Sequence, residues 1–221
     1  VSVILCIDTA VVGASVCLAK NAEAIGLMQN PAPLESAAWI HAAIQQLLQE
    51  QGMAVSQLEA VAVSAGPGSY TGLRVGLATA KGLCYALNIP LITINTLQLM
   101  AMAALQEPTD LLCPMIDARR MEVFTGLFTK EGGEVMPAQA LILQADSFFE
   151  VLQRSTVTFF GNGSGKFLPV LQHRNAVFKQ ITTDARHATT LAQRAFEANA
   201  FADLAYSEPF YGKEFFSPAA N

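Results

Sequence analysis

Residues 65–83 read AGPGSYTGLRVGLATAKGL, and this stretch decides the fold. An apolar run, Leu58 to Ser64, precedes it and predicts a strand. A tight loop follows, Gly66-Pro67-Gly68-Ser69, and feeds a predicted helix over Ser69–Asn88. Ser69 or Thr71 can cap that helix, because each offers a side-chain oxygen to an orphan backbone N–H. Between Ser69 and Leu87 the only charges are Arg74 and Lys81. Gly72, Gly76 and Ala80 recur every fourth residue and stack into one stripe of small side chains. A helix-interior glycine costs about 0.5–1 kcal/mol relative to alanine, so Gly72, Gly76 and Gly82 need compensation. Close approach of a backbone supplies it, either inside the domain or from another chain. The scarcity of charge around the helix predicts burial on more than one side.

The glycine loop is a weak phosphate site. A turn feeding a helix N-terminus attracts anions. However, Gly72-Leu73-Arg74 stands where a P-loop needs Gly-Lys-Ser/Thr, and the spacing is not that of a dinucleotide fingerprint. A helix dipole contributes about 0.3–1 kcal/mol to an anion, whereas micromolar binding needs about 8.

The chain has 221 residues, 52% hydrophobic and 14% charged, with a formal net charge of −5. About 25% charged is typical, so some apolar surface is expected to meet a partner. An acidic chain without a basic run is a poor nucleic-acid binder by itself. Cys6, Cys17, Cys84 and Cys113 are scattered without Cys-x-x-Cys spacing, as expected of buried reduced thiols in a cytoplasmic protein. The sequence carries no signal-peptide pattern. Its most apolar run, Ile89–Leu105, is broken by Thr93, Asn95, Thr96 and Gln98, so no membrane span is expected.

In order, strands are predicted over Val1–Ile7, Gly13–Ala19 and Ala22–Gln29. After the break Asn30-Pro31-Ala32-Pro33 comes a helix over Leu34–Gln51. It carries Ala37, Ile40, Ile44, Leu47 and Leu48 on one face and is stopped by Gly52. The strand and helix around residue 65 follow, then a strand Pro90–Ile94 and a helix Thr96–Gln106. After Glu107-Pro108-Thr109-Asp110 the pattern restarts. Strands Leu111–Ile116, Glu122–Thr129 and Val135–Leu143, the last two joined by Gly132-Gly133, precede a helix Asp146–Gln153 capped by Asp146 or Ser147. A strand Thr156–Phe160 leads into Gly161-Asn162-Gly163-Ser164-Gly165 and a helix to about Gln172. A strand Val177–Ile181 and a helix Ala188–Asn199 close the series. Both halves share one order: three strands, helix, strand, helix, strand, helix. Each first strand ends in Asp, at Asp8 and Asp117. The chain is therefore α/β, resembling the duplicated ribonuclease H-like core of the actin, sugar-kinase and Hsp70 (ASKHA) superfamily. The expected lobes are 1–107, with the partner helices, and 108–221, whose tail can return to the first lobe.

Nucleotide-binding members of that superfamily place the two strand-end acids in Asp-x-Gly loops, where glycine lets amides approach phosphate. Asp8-Thr9-Ala10 and Asp117-Ala118-Arg119 keep the acids and lack the glycines. Asp8, Thr9, Asp117 and Arg119 are thus vestigial phosphate-loop positions, and solvated or capping acids at strand ends are the plainer reading. His41, His173 and His187 form no pair at metal-ligand spacing, and no Gly-x-Ser-x-Gly is present. Neither a metal site nor a catalytic residue is expected. The 161–165 loop reads as structural.

AVSAGPGSYTGLRVG, with AKGL and NIP beyond it, resembles the signature of the bacterial TsaB (YeaZ) family, a subunit of the tRNA threonylcarbamoyladenosine machinery. LCIDT at 5–9, MIDARRMEVF at 115–124, GNGS at 161–164 and EPFY at 208–211 resemble its other landmarks. Leu34-Glu35-Ser36 departs from the His-Ser pair often found there, and the tail after Tyr211 drifts. The resemblance implies a noncatalytic scaffold or activator that pairs helix to helix with TsaD. With the ATPase TsaE, that complex transfers threonylcarbamoyl from its adenylate to N6 of adenosine 37 in tRNAs reading ANN codons (t6A). It implies a partner or dimer interface at Ile40, Ile44, Leu47, Tyr70, Gly72, Leu73, Gly76 and Ala80, and a homodimer when alone. No cofactor is expected on the chain alone, ATP/ADP belongs to the TsaD/TsaE complex, and tRNA is met only through it. The competing reading is an enzyme, a nucleotide-dependent phosphotransferase or an M22-type glycoprotease-like protein. A direct tRNA-binding module is disfavoured by charge.

Overall fold

The computed structural model describes residues 2–11, 13–30 and 36–212. Two five-stranded sheets are built from β1 (Val3–Asp8), β2 (Ala14–Lys20), β3 (Glu23–Asn30), β4 (Ala60–Gly66) and β5 (Leu91–Asn95), and from β6 (Leu111–Asp117), β7 (Glu122–Thr129), β8 (Glu134–Ile142), β9 (Val157–Phe160) and β10 (Ala176–Phe178). Their orders are β3-β2-β1-β4-β5 and β8-β7-β6-β9-β10. In each, the first three strands form an antiparallel meander and the last two run parallel to the first. The repeat read from the sequence is therefore a repeat of topology, a two-lobed α/β fold with the same strand order in each lobe. The continuous apolar run of β1 has its reason here, since all six of its residues are buried between covered faces.

The helices are α1 (Ser36–Glu50), α2 (Tyr70–Leu87), α3 (Thr96–Met102), α4 (Phe149–Leu152) and α5 (Thr189–Glu197). Leu34 and Glu35, expected to open the first helix, lie outside the described residues, as do 31–33 of the expected break. One face of the first sheet packs Leu5, Ile7, Val16 and Leu18 against Ile40, Ile44 and Leu47 of α1 and Leu77, Ala80 and Cys84 of α2. Each such aliphatic side chain contributes about 1.5–3 kcal/mol on burial. The other face, Ile4, Cys6, Cys17 and Ile92, is covered by Ala188, Leu191 and Ala192 from the end of the chain. Conversely, Leu97, Met100 and Ala101 of α3 pack on Leu112, Ile116, Phe124 and Phe128 of the second sheet. α5 of the second half packs on the first sheet, while α3 lies between the sheets, with Leu99 on the first and Leu97, Met100 and Ala101 on the second.

Three expectations are corrected. The helix after the 161–165 loop is only a 3-10 turn, Ser164–Lys166, because Pro169 has no N–H for the next helical turn and glycines open it. The fourth helix keeps only Phe149–Leu152, with no side-chain cap. Phe148 takes φ +64° and packs its ring against both Phe159 and Phe167, at 5.4 and 5.8 Å between centroids. Ser147 instead accepts from the Gln144 amide at 2.9 Å.

Candidate functional site

Two features stand out: the cleft between the lobes, and the outward face of α1 and α2.

Asp8 ends β1 on the side facing α5. It is buried, and its Oδ1 accepts from Ser64 Oγ at 2.6 Å and from the Ala10 amide at 3.1 Å. Burial raises its pKa above the ordinary carboxylate value, and these hydrogen bonds only partly oppose that. Thr9 faces the opposite way, where its hydroxyl donates to the Gly72 carbonyl at 2.7 Å. Asp117 ends β6 in a more open setting. Lys166 Nζ lies 2.6 Å from its Oδ1, and the same oxygen accepts from the Arg119 amide at 2.6 Å. Lys166 is the main cause of its lowered pKa. The Asp117 amide donates to Asn162 Oδ1 at 3.0 Å. Arg119 and Arg120 both adopt left-handed φ, +71° and +49°.

A cleft of about 720 Å³ opens between Gly68–Thr71 and Ile116–Arg119. Four amides around the cleft already have partners. Ala10 N binds Asp8, Ser69 N donates to the Ala10 carbonyl at 2.6 Å, Gly72 N donates to Ser69 Oγ at 3.2 Å, and Arg119 N binds Asp117. Gly68 lets the loop close on Ala10, since a Cβ there would meet the Ala10 carbonyl oxygen. Asp8 and Asp117 are thus held by their own neighbours.

Ser69 is the cap of α2. The small-residue stripe points inward. A Cβ on Gly72 would meet the Thr9 carbonyl oxygen, and one on Gly76 the Thr9 hydroxyl. The stripe therefore accommodates the chain's own β1 end. Of the interface residues expected from sequence, Ile40, Leu47, Leu73, Gly76 and Ala80 are buried in the first lobe's core. In the chain alone these positions pack within the lobe rather than on its outer surface. The apolar face of an amphipathic helix is spent on its own sheet. Gly72 is half-buried, Ile44 reaches a surface groove, and Tyr70 is exposed.

What α1 and α2 present outward is a different set. Ala37, Ala38, His41, Ala42, Gln45 and Gln49 are exposed on α1, and Thr71, Ala78, Gly82, Tyr85 and Ala86 on α2. Tyr85 is 83% exposed. A groove of about 700 Å³ runs between the helices, floored by Ile44, Leu48, Met53 and Leu83. The exposed charges of the two helices are Glu50, at the end of α1, and Arg74. Arg74 stacks 4.1 Å over the Tyr70 ring and donates to the Tyr211 hydroxyl at 3.1 Å.

Sequence reading missed the ties made by the last part of the chain. Asp184 is buried and accepts from Gln29 Nε2 at 2.8 Å while pairing with Arg186 at 2.7 Å. Burial raises its pKa, but the Arg186 bonds outweigh that and the net shift is downward. The only local signal was the run Thr182-Thr183-Asp184 ahead of a helix, a capping pattern. Among the described residues no three of His, Cys, Asp and Glu gather as metal ligands, and no helix is long and apolar enough to cross a membrane.

The sequence profile of the family described as TsaD, tRNA N6-adenosine threonylcarbamoyltransferase, matches residues 26–214. The tRNA threonylcarbamoyladenosine biosynthesis protein TsaB of Bacillus subtilis is 33% identical over 159 residues, covering 70% of this chain and 68% of that one. TsaB of Escherichia coli is 30% identical over 166 residues, covering 73% and 71%. A crystal structure from Pseudomonas aeruginosa, described as similar to peptidase YEAZ, superposes with a TM-score of 0.85 at 24% identity over 96% of this chain and all of that one.

Proposed function

Since the chain belongs to the TsaB family, we propose that it is a noncatalytic subunit of threonylcarbamoyladenosine formation, pairing with TsaD through the outward face of α1 and α2. TsaD carries the transfer to N6 of adenosine 37, and TsaE joins the pair in the cytoplasm. The tRNA is met through the complex, and ATP or ADP belongs to the complex as a whole.

The observation that carries this reading is the α1–α2 surface. Alanine, glycine and threonine at Thr71, Ala78, Gly82 and Ala86 leave room for a partner helix to approach closely, with Val75 half-buried among them. Little charge need be desolvated on contact, and an exposed tyrosine, Tyr85, is the kind of anchor interfaces favour. The same surface is self-complementary in character, so the chain is expected to pair with itself when TsaD is absent. The engaged amides around Asp8 and Asp117 support a structural rather than a phosphoryl-transfer role for the cleft.

The test is a charge in the centre of the surface. A Cβ at Gly82 meets nothing within 4 Å, so Gly82→Glu leaves the fold alone. Gly82→Glu is expected to abolish pairing with TsaD in calorimetry or gel filtration while keeping the parent's melting curve. Undiminished pairing would remove α2 from the interface.

A further inference from the structure

A second inter-lobe cavity, of about 550 Å³, lies on the side of β1 that faces residues 180–184. Asp8 and Ser15 line it. They are cross-strand partners on β1 and β2, so their side chains leave the sheet on one face. Both are buried, Asp8 at 7% exposure. The Asp8 carboxylate is engaged through one oxygen. Oδ1 accepts from Ser64 and Ala10, and Oδ2 accepts from none of the described residues. Among the described residues no fully buried side-chain oxygen lacks a hydrogen-bond partner. Oδ2 is therefore not sealed in, and it opens into the cavity that Asp8 lines. Ser15 Oγ accepts from the Ala185 amide at 2.9 Å, which leaves its own proton to donate. The other acid of the lining, Asp184, has both oxygens occupied by Gln29 and Arg186. The rest of the polar lining is amide and hydroxyl, including Asn162, Gln180, Thr182 and Thr183, and no described lining residue is cationic.

We infer that this cavity binds a small polar molecule carrying an ammonium group, and that Asp8 Oδ2 receives the ammonium. A buried carboxylate with no cation beside it costs the fold, and a cationic ligand removes that cost. Burial holds the Asp8 pKa up, as expected of an acid without a counter-charge. A charge-assisted bond to Oδ2 is about twice as strong as a neutral one. Amides and hydroxyls around it suit hydroxyl groups on the same ligand. An anion would meet two carboxylates and no lining cation, which sets this site apart from a phosphate site. The volume is that of an ordinary small-molecule pocket. The inference goes beyond the pairing reading and does not depend on it.

Chemical-shift titration of the full chain tests this with two matched pairs, serinol against glycerol and 4-amino-1-butanol against 1,4-butanediol. Each amine is expected to shift the Asp8 carboxyl carbon and the amides of Ser15 and Thr183, and to bind about 10-fold more tightly than its uncharged counterpart. Asp8→Asn, which can still accept from Ser64, is expected to keep the parent's melting curve or improve on it and to erase that preference. Gln180→Lys, at an exposed position of the lining, sets a competing ammonium beside the site and is expected to weaken both amines at least about 2-fold. No shift with either amine, equal binding of amines and alcohols, or a preference that survives Asp8→Asn overturns the inference. So does glycerol 3-phosphate binding as tightly as serinol.

Discussion

Alanine at Gly72 and at Gly82 should move stability in opposite directions, although both glycines lie on α2. At Gly72 the new methyl would occupy the position of the Thr9 carbonyl oxygen, which is main chain and cannot rotate away. The helix must shift off the end of β1. Overpacking of that kind costs about 1–3 kcal/mol, and the 2.7 Å bond from Thr9 to the Gly72 carbonyl is strained or lost, a further cost of about 0.5–1.5 kcal/mol. Better helix propensity returns at most about 0.5–1 kcal/mol. The net is a loss of about 0.5–4 kcal/mol. At Gly82 the methyl meets nothing, so only the propensity gain of about 0.5–1 kcal/mol remains. In a domain of this size each kcal/mol moves Tm by about 2–4 °C. Urea unfolding at unchanged m-value and thermal melts of both variants measure the difference. If Gly72→Ala matches or exceeds the parent, the small-residue stripe is not packed on β1, and its assignment to the lobe's own core fails.

Further outcomes follow from the same contacts. Burial raises the Asp8 pKa, so its ionisation penalises the fold above the raised value and costs nothing below its ordinary value. Asp8→Asn, which can still accept from Ser64, should therefore stabilise near pH 7 and lose that advantage below about pH 4, as urea titrations at the two pH values would show. Asp117 is the reverse case. Its pKa is lowered chiefly by Lys166, so the pair stabilises above the ordinary carboxylate pKa and the contribution fades as pH falls through the lowered value. Lys166→Met should cost under about 1 kcal/mol near neutral pH, because the Asp117 side chain is 41% exposed, and its curve should converge on the parent's in acid. All four cysteines are buried and free. Burial pushes Cys17 and Cys113 up to about 12 and Cys84 to about 11. Native protein should resist thiol reagents that label it fully in denaturant.

Elements with strong local patterning were legible in the sequence. The apolar run ending at Asp8, its echo ending at Asp117 and the turn at Gly132-Gly133 fix strand order, because period and turn chemistry are local properties. The small-residue stripe was ambiguous, since glycine permits close approach by any backbone and sequence does not say whose. Thr9, more than sixty residues away, is the neighbour, and only the fold brings it there. The outward surface of α1 was hidden for the same reason. Periodicity identifies the apolar face of α1, and that face is consumed by the lobe's own sheet, leaving the alanine- and glutamine-rich side as the available surface. Phe148 and Pro169 broke predicted helices through tertiary packing and a missing donor. The placement of α3 between the two sheets and of α5 on the first has no local signature, as their apolar stripes would serve either sheet.

The central claim is that this chain enables TsaD without doing chemistry itself. Purified TsaD, TsaE, the adenylate-forming enzyme and unmodified tRNA, with and without the chain, put it to the test, with threonylcarbamoyladenosine measured by mass spectrometry. The account predicts modified adenosine only when the chain is present, none with the chain alone on tRNA and adenylate, and none when Gly82→Glu replaces it. Full modification without the chain, or undiminished modification with Gly82→Glu, would contradict it.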